Sequence, residues 1–154
     1  MKFLNQTCCL SMKKCHGDGS LIGQGHNHEI LNMQSIPGYN VGGSLHFCCD
    51  NNVAFTASGN LSRSAARPGD CALPYGSPVI SVSGSSPRSV INAAKLALRF
   101  RNEFGKDVMT ELVAWRKYGH NELDEPRFVY KHTLHLSIFN PELQIDQSCS
   151  LQIR

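Results

Sequence analysis

Val79-Ile80-Ser81-Val82, then Gly84-Ser85-Ser86-Pro87, the run on to Phe104, and Val108 through Trp115 together decide how this chain folds. The first four residues are apolar or small and suit a short buried strand. Ser86 can cap a helix, and Pro87 fits the first helical position, where no backbone N–H is needed. Val90, Ile91, Ala94, Ala97, Leu98 and Phe104 recur at helical spacing, and Gly105 supplies the stop. Val108 to Trp115 reads as the next strand. Strand, helix and strand with short connections predict a right-handed βαβ unit, its two strands parallel in one sheet. The fold class is therefore α/β.

Working outward, Ser44-Leu45-His46-Phe47-Cys48-Cys49 is another short strand, set between Gly42-Gly43 and Asp50-Asn51-Asn52. Residues Glu29 to Met33 belong to a helix that ends near Pro37-Gly38. Thr56 to Pro78 is rich in Ser, Gly, Pro and Arg and reads as one long polar loop; loops of that length are often functional. Open parallel sheets bind ligands beyond the carboxyl ends of their strands. Asp50-Asn51 and the stretch Arg116 to His120 both fall at such ends and can face one site.

Composition removes several function classes. With 154 residues, 41% hydrophobic and 18% charged, the chain has the apolar content of one packed globular domain. A net charge of +3, with Lys13-Lys14 as the best basic run, gives no stripe for tracking nucleic-acid phosphates. No stretch is apolar for long enough to span a bilayer. The opening Met1-Lys2-Phe3-Leu4-Asn5-Gln6-Thr7 is too polar for a secretory signal and forms no clear transit peptide. Cysteines at positions 8, 9, 15, 48, 49, 71 and 149 are odd in number and form no CxxC, so reduced, mostly buried thiols are expected. His26-Asn27-His28 has no Cys or acid beside it at metal-ligand spacing.

Two short motifs carry the chemistry. Gly17-Asp18-Gly19 sets an acid between two glycines, which lets the backbone turn tightly and approach a ligand. Asp50-Asn51-Asn52 follows a strand, with Asn51 lying 51 − 18 = 33 positions after Asp18. A carboxylate, an amide oxygen and a backbone carbonyl are hard ligands of the kind magnesium prefers. Either motif alone is more often a plain turn.

Together, at this spacing, they resemble the thiamine-diphosphate motif. His16-Gly17-Asp18-Gly19, Gly23-Gln24-Gly25, Glu29, Gly43-Ser44-Leu45-His46 and Phe55-Thr56 resemble the decarboxylating first component of the 2-oxoglutarate/2-oxoadipate dehydrogenase family. Arg63-Ser64 and Gly84-Ser85-Ser86-Pro87 fit the same register, and Gly119-His120-Asn121-Glu122-Leu123-Asp124-Glu125-Pro126 resembles the specific signature that closes this region. The resemblance covers roughly Cys15 to Phe128. It implies an incomplete parallel-sheet thiamine-diphosphate-binding fold, with magnesium held by Asp18, the Asn51 side chain and the Val53 carbonyl. Arg116 and His120 resemble an arginine and a histidine that hold the cofactor diphosphate. Asp50 departs from the family's usual first asparagine, but transketolase-like relatives carry Asp there.

The implied activity is oxidative decarboxylation of 2-oxoglutarate or 2-oxoadipate, with acyl transfer to the lipoyl group of a second component. That would place it in the tricarboxylic acid cycle or in lysine degradation. The resemblance further implies a homodimer and a mitochondrial setting. Some of the family's parts are not recognisable. No segment matches the glutamate that activates the aminopyrimidine, and the strand expected before Gly17 is replaced by Thr7 to Cys15, with two lysines at its end. The organisation expected is a divergent segment 1–14, a diphosphate-binding region 15–128 and a divergent tail 129–154, as in a truncated or mispredicted gene product. The alternative is a non-catalytic fragment that at most binds magnesium–thiamine diphosphate or intact subunits.

Overall fold

A computed structural model of the chain describes residues 13–114 and 152–153. Among the described residues, five strands form one sheet: β1 (Lys13–Gly17), β2 (Leu45–Asp50), β5 (Val79–Ser83), β6 (Val108–Val113) and β7 (Gln152–Ile153). Their spatial order is β1-β2-β6-β5-β7. The first four are parallel, with Leu45 opposite both Lys13 and Val108, and Val79 opposite Met109. Only β7 runs antiparallel, pairing Ile153 with Ile80. The α/β class and the parallel β5–β6 pair stand as expected.

The crossover helix α4 (Pro87–Phe104) joins β5 to β6. Its two ends are built as the sequence suggests. Ser86 Oγ accepts the Ser89 N–H at 3.4 Å, and Gly105 closes the helix in the left-handed region at φ 62°. The face turned to the sheet differs from the expected spacing. Ala93 and Ala97 are fully buried with Val90, Leu96 and Phe100 partly buried beside them, whereas Ile91 and Leu98 are 54% and 39% exposed. Small alanines let the helix come close to the strands, so the larger residues of the neighbouring stripe turn outward. Arg101 is also buried on this side, donating Nε–H to the Gly43 carbonyl at 3.1 Å.

Both faces of the sheet are covered, which is why its strands read as near-continuous apolar runs. Leu45, Ile80, Val82 and Val108 pack under α4. Cys48, Val79 and Met109 point the other way, against Leu21 of α1 (Asp18–Ile22), Leu31 of α2 (Gly25–Met33) and Ala72 of a 3-10 helix (Pro68–Tyr75). None of the described helices is long and apolar enough to cross a membrane.

Two expectations need correcting. A strand does precede Gly17: β1 ends in the motif and runs at the sheet edge, where Lys13 is exposed and Lys14 half-buried. An edge strand has one neighbour, so lysines are tolerated there. The segment 56–78 is not one loop. It contains β4 (Ala57–Ser58), which pairs with β3 (Val53–Ala54), then a short helix α3 (Gly59–Ser62) and the 3-10 helix. Fully buried Glu111 fixes that last element, accepting the Gly69 N–H at 3.0 Å and the Ser81 hydroxyl at 2.6 Å. That tie spans 42 positions and leaves no local pattern.

Four described cysteines are free: Cys48 is buried, Cys71 half-buried, and Cys15 and Cys49 are exposed, so the thiols are less uniformly buried than expected. Burial pushes the Cys71 thiol up to about 11 and raises that of Cys48 further.

Candidate functional site

β1 and β2 end side by side, with Gly17 opposite Cys49. Parallel neighbours in register carry their next residues to the same edge, so Asp18 and the turn Asp50-Asn51-Asn52-Val53 emerge together. Asp18 opens α1 and is 2% exposed. The turn is shaped by its own side chains. Asp50 Oδ1 accepts the Asn52 N–H at 3.0 Å, and Asn51 Oδ1 accepts the Val53 N–H at 3.1 Å. Such local acceptors favour turns over continued strand. Asn52 then adopts a left-handed φ of 55°, which asparagine tolerates better than most residues.

The ends approach closely. A Cβ on Gly19 would stand 2.7 Å from the Ala54 Cβ, so a glycine is required there. Between them lies an open cleft of about 400 Å³, lined by Gly17, Asp18, Ser20, Asn51, Val53 and Phe55 among others. All three residues expected to hold a metal therefore border one cleft. The chemistry of these donors fits magnesium: carboxylate, amide and carbonyl oxygens are hard ligands. Among the described residues no group of three or more His, Cys, Asp or Glu could hold a metal, so any divalent ion here must draw on amide and carbonyl oxygens. Arg116, His120 and the octapeptide Gly119 to Pro126 lie outside the described residues.

Arg63 is a residue that the sequence leaves ambiguous between a solvated loop and a place near the site. Its side chain is 5% exposed and its Nη1 donates to Asp18 Oδ2 at 3.0 Å. Nη2 donates to Asn52 Oδ1 at 3.0 Å and lies 3.4 Å from both oxygens of Asp50. Asp50 is itself buried, and its carboxyl is raised above the ordinary value, chiefly by desolvation. Repulsion from Asp18 adds to that rise, while the Asn52 N–H and Arg63 oppose it. The polar character of the stretch around Arg63 hid its burial; the place of Arg63-Ser64 in the family resemblance was the available sign.

A second buried polar group underlies β1 and β2. His46 Nδ1 lies 3.1 Å from His16 Nε2, and its Nε2 faces Asp107 Oδ2 at 3.5 Å, too long for a good hydrogen bond. The rings of His16 and His46 stack with centroids 5.4 Å apart. Asp107 in turn accepts the Ser44 N–H at 2.7 Å, fixing the start of β2. Spacing alone gave no notice of this cluster, because its members come from three strand ends. His28 of the His26-Asn27-His28 stretch lies 3.4 Å from the Tyr75 hydroxyl.

Fold and cleft define an α/β protein with a cleft at the carboxyl edge of a parallel sheet, bordered by Asp18, Ser20 and Asn51. The sequence profile of the family described as Dehydrogenase E1 component matches residues 5–139. The chain is 42% identical over 111 residues to the 2-oxoglutarate dehydrogenase E1 component of Staphylococcus saprophyticus, covering 72% of this chain and 12% of that protein. It is likewise 42% identical over 113 residues to a probable 2-oxoadipate dehydrogenase complex component E1 homolog of Caenorhabditis elegans, and 37% identical over 124 residues to its counterpart in Dictyostelium discoideum. These cover 73% and 80% of this chain, and 12% and 13% of those proteins. The chain belongs to the dehydrogenase E1 component family, and it spans about an eighth of the length of these relatives.

Proposed function

We propose that this chain provides the magnesium and diphosphate anchor of a thiamine-diphosphate-dependent 2-oxo acid dehydrogenase. The observation that carries the reading is the meeting of Asp18, Asn51 and Val53 on one cleft at the ends of β1 and β2. In it, the Asp18 carboxylate, the Asn51 amide oxygen and the Val53 carbonyl would hold a magnesium ion, whose charge would be available to a diphosphate. Arg116 and His120 are proposed as further diphosphate contacts. When bound, thiamine diphosphate supplies the nucleophile and the electron sink for decarboxylation. The protein's own groups orient it and neutralise its charge.

The proposed substrates are 2-oxoglutarate or 2-oxoadipate, with the acyl group passed to a lipoyl-bearing second component. A homodimer, a mitochondrial setting and a diphosphate-binding region spanning 15–128 belong to the same proposal. Relatives acting on each substrate support the choice of the pair without deciding between them.

A second reading has a specific observation behind it. The chain corresponds to 12% of the first relative's length, so the groups that complete a catalytic site elsewhere in such a protein need not be present. On this reading the chain anchors cofactor without turning over. An assay of the purified 154-residue chain with magnesium, thiamine diphosphate, either 2-oxo acid and an artificial electron acceptor separates the two. The expected turnover lies far below the usual enzymatic scale of about 1 per second. Turnover on that scale would mean that the chain holds the catalytic machinery as well as the anchor.

A further inference from the structure

Among the described residues, the Arg63 side chain reaches both halves of the anchor. Asp18 comes from the end of β1; Asn51 and Val53 come from the turn after β2. Nη1 of Arg63 holds Asp18 Oδ2, while Nη2 reaches Asn52 Oδ1 and the Asp50 carboxylate in that turn. These contacts span 45 and 11–13 positions, so the guanidinium is a long-range tie and not a local cap. Its planar fork lets one group serve several acceptors at once, which a lysine ammonium does with less directional control.

Position decides what the tie does. Asp18, Asn51 and Val53 border the cleft, whereas Arg63 and Asp50 are not among its lining residues. The guanidinium thus reaches Asp18 without itself lining the cleft that a cation would enter. Two buried carboxylates, Asp18 and Asp50, would repel each other without it. Removing one partner of such a buried pair leaves uncompensated charge, and the two strand ends would then be free to separate.

We propose that Arg63 is a positioning residue for the metal site: it holds Asp18 against the Asp50–Val53 turn and so presets the distance between the cation's oxygen donors. This rests on the anchor reading above. The opposing possibility, a guanidinium that competes with the cation for Asp18, predicts the reverse sign. Loss of Arg63 would then strengthen metal binding.

The test uses the full chain and Mn2+ as the probe, with thiamine diphosphate present, and follows free Mn2+ by electron paramagnetic resonance. Wild type, R63Q, R63K and R63A are compared, with the thermal midpoint of each recorded. R63Q is expected to bind Mn2+ at least about tenfold more weakly, the scale seen when groups behind metal ligands are removed. R63K should recover part of that loss. Dilute guanidinium chloride, kept well below denaturing levels, should restore binding to R63A and not to wild type, a response that general loosening of the fold would not produce. If R63Q fails to fold, the R63K and guanidinium arms still decide. Unchanged or tighter Mn2+ binding in the folded variants, or no rescue, overturns the role of Arg63 while leaving the anchor intact. No Mn2+ binding by wild type overturns the anchor reading and this proposal with it.

Discussion

The crossover β5–α4–β6 and the turn pair around Asp18 and Asn51 lie in one sheet but are stabilised by opposite means. The crossover buries Ile80, Val82, Ala93, Ala97 and Val108, and its helix is closed by a serine cap and a left-handed glycine. Apart from buried Arg101 and Glu111, which bond specific partners, it acts locally or by apolar burial, which needs no particular partner. The turn pair buries two carboxylates and a guanidinium within hydrogen-bonding reach. Such groups stabilise only when each finds its partner, and are costly otherwise. One region gives the chain a scaffold; the other holds a charged arrangement beside the cleft.

Substitutions can break this comparison. Ala97→Leu should have the largest effect on stability, because Ala97 is fully buried between α4 and the strands. Overpacking of that kind costs about 1–3 kcal/mol, seen as a lower urea midpoint with an unchanged slope. Leu98→Ala, one position on and largely outward, should move the midpoint little; a loss equal to that of Ala97→Leu would mean that the helix faces the sheet with its other stripe. Ser86→Ala removes the cap on the Ser89 N–H and should cost about 1 kcal/mol. None of the three changes should alter affinity for thiamine diphosphate, since all lie in the crossover.

The smallest effect concerns pH. Burial and the nearby charges of His46, Lys14 and His26 hold the His16 imidazole below its ordinary value of 6.5. The folded state thus binds this proton less readily than the unfolded chain. The stability contributed is present above 6.5 and is lost as pH falls through the depressed value. A midpoint measured across that range should decline toward acid, and His16→Gln should flatten part of the decline. An identical slope in both proteins would remove His16 from the account.

The same contrast explains how much could be read from the sequence. The α4 caps, the parallel β5–β6 pair and the β2 strand were legible, because capping residues and apolar runs act within a few positions. The buried stripe of α4 was not, since two apolar stripes run along the helix and only packing against β5 and β6 chooses Ala93 and Ala97. Segment 56–78 looked like a loop because its order comes from Glu111, far along the chain. At the candidate site, motif spacing and resemblance single out Asp18, Asn51 and Val53, and the structure brings them to one cleft. The burial of Arg63 and the His16–His46 contact were not, because each depends on side chains from separate strand ends. β1 was misjudged for a related reason: its lysines argue against a central strand, but its place is the edge.

The central claim is that Asp18 anchors a metal-bound diphosphate, and calorimetric titration of thiamine diphosphate into the purified chain tests it most directly. The expected result is binding in the presence of magnesium, none in EDTA, and none for Asp18→Ala despite an intact fold. Magnesium-dependent binding that persists unchanged in Asp18→Ala would contradict the account.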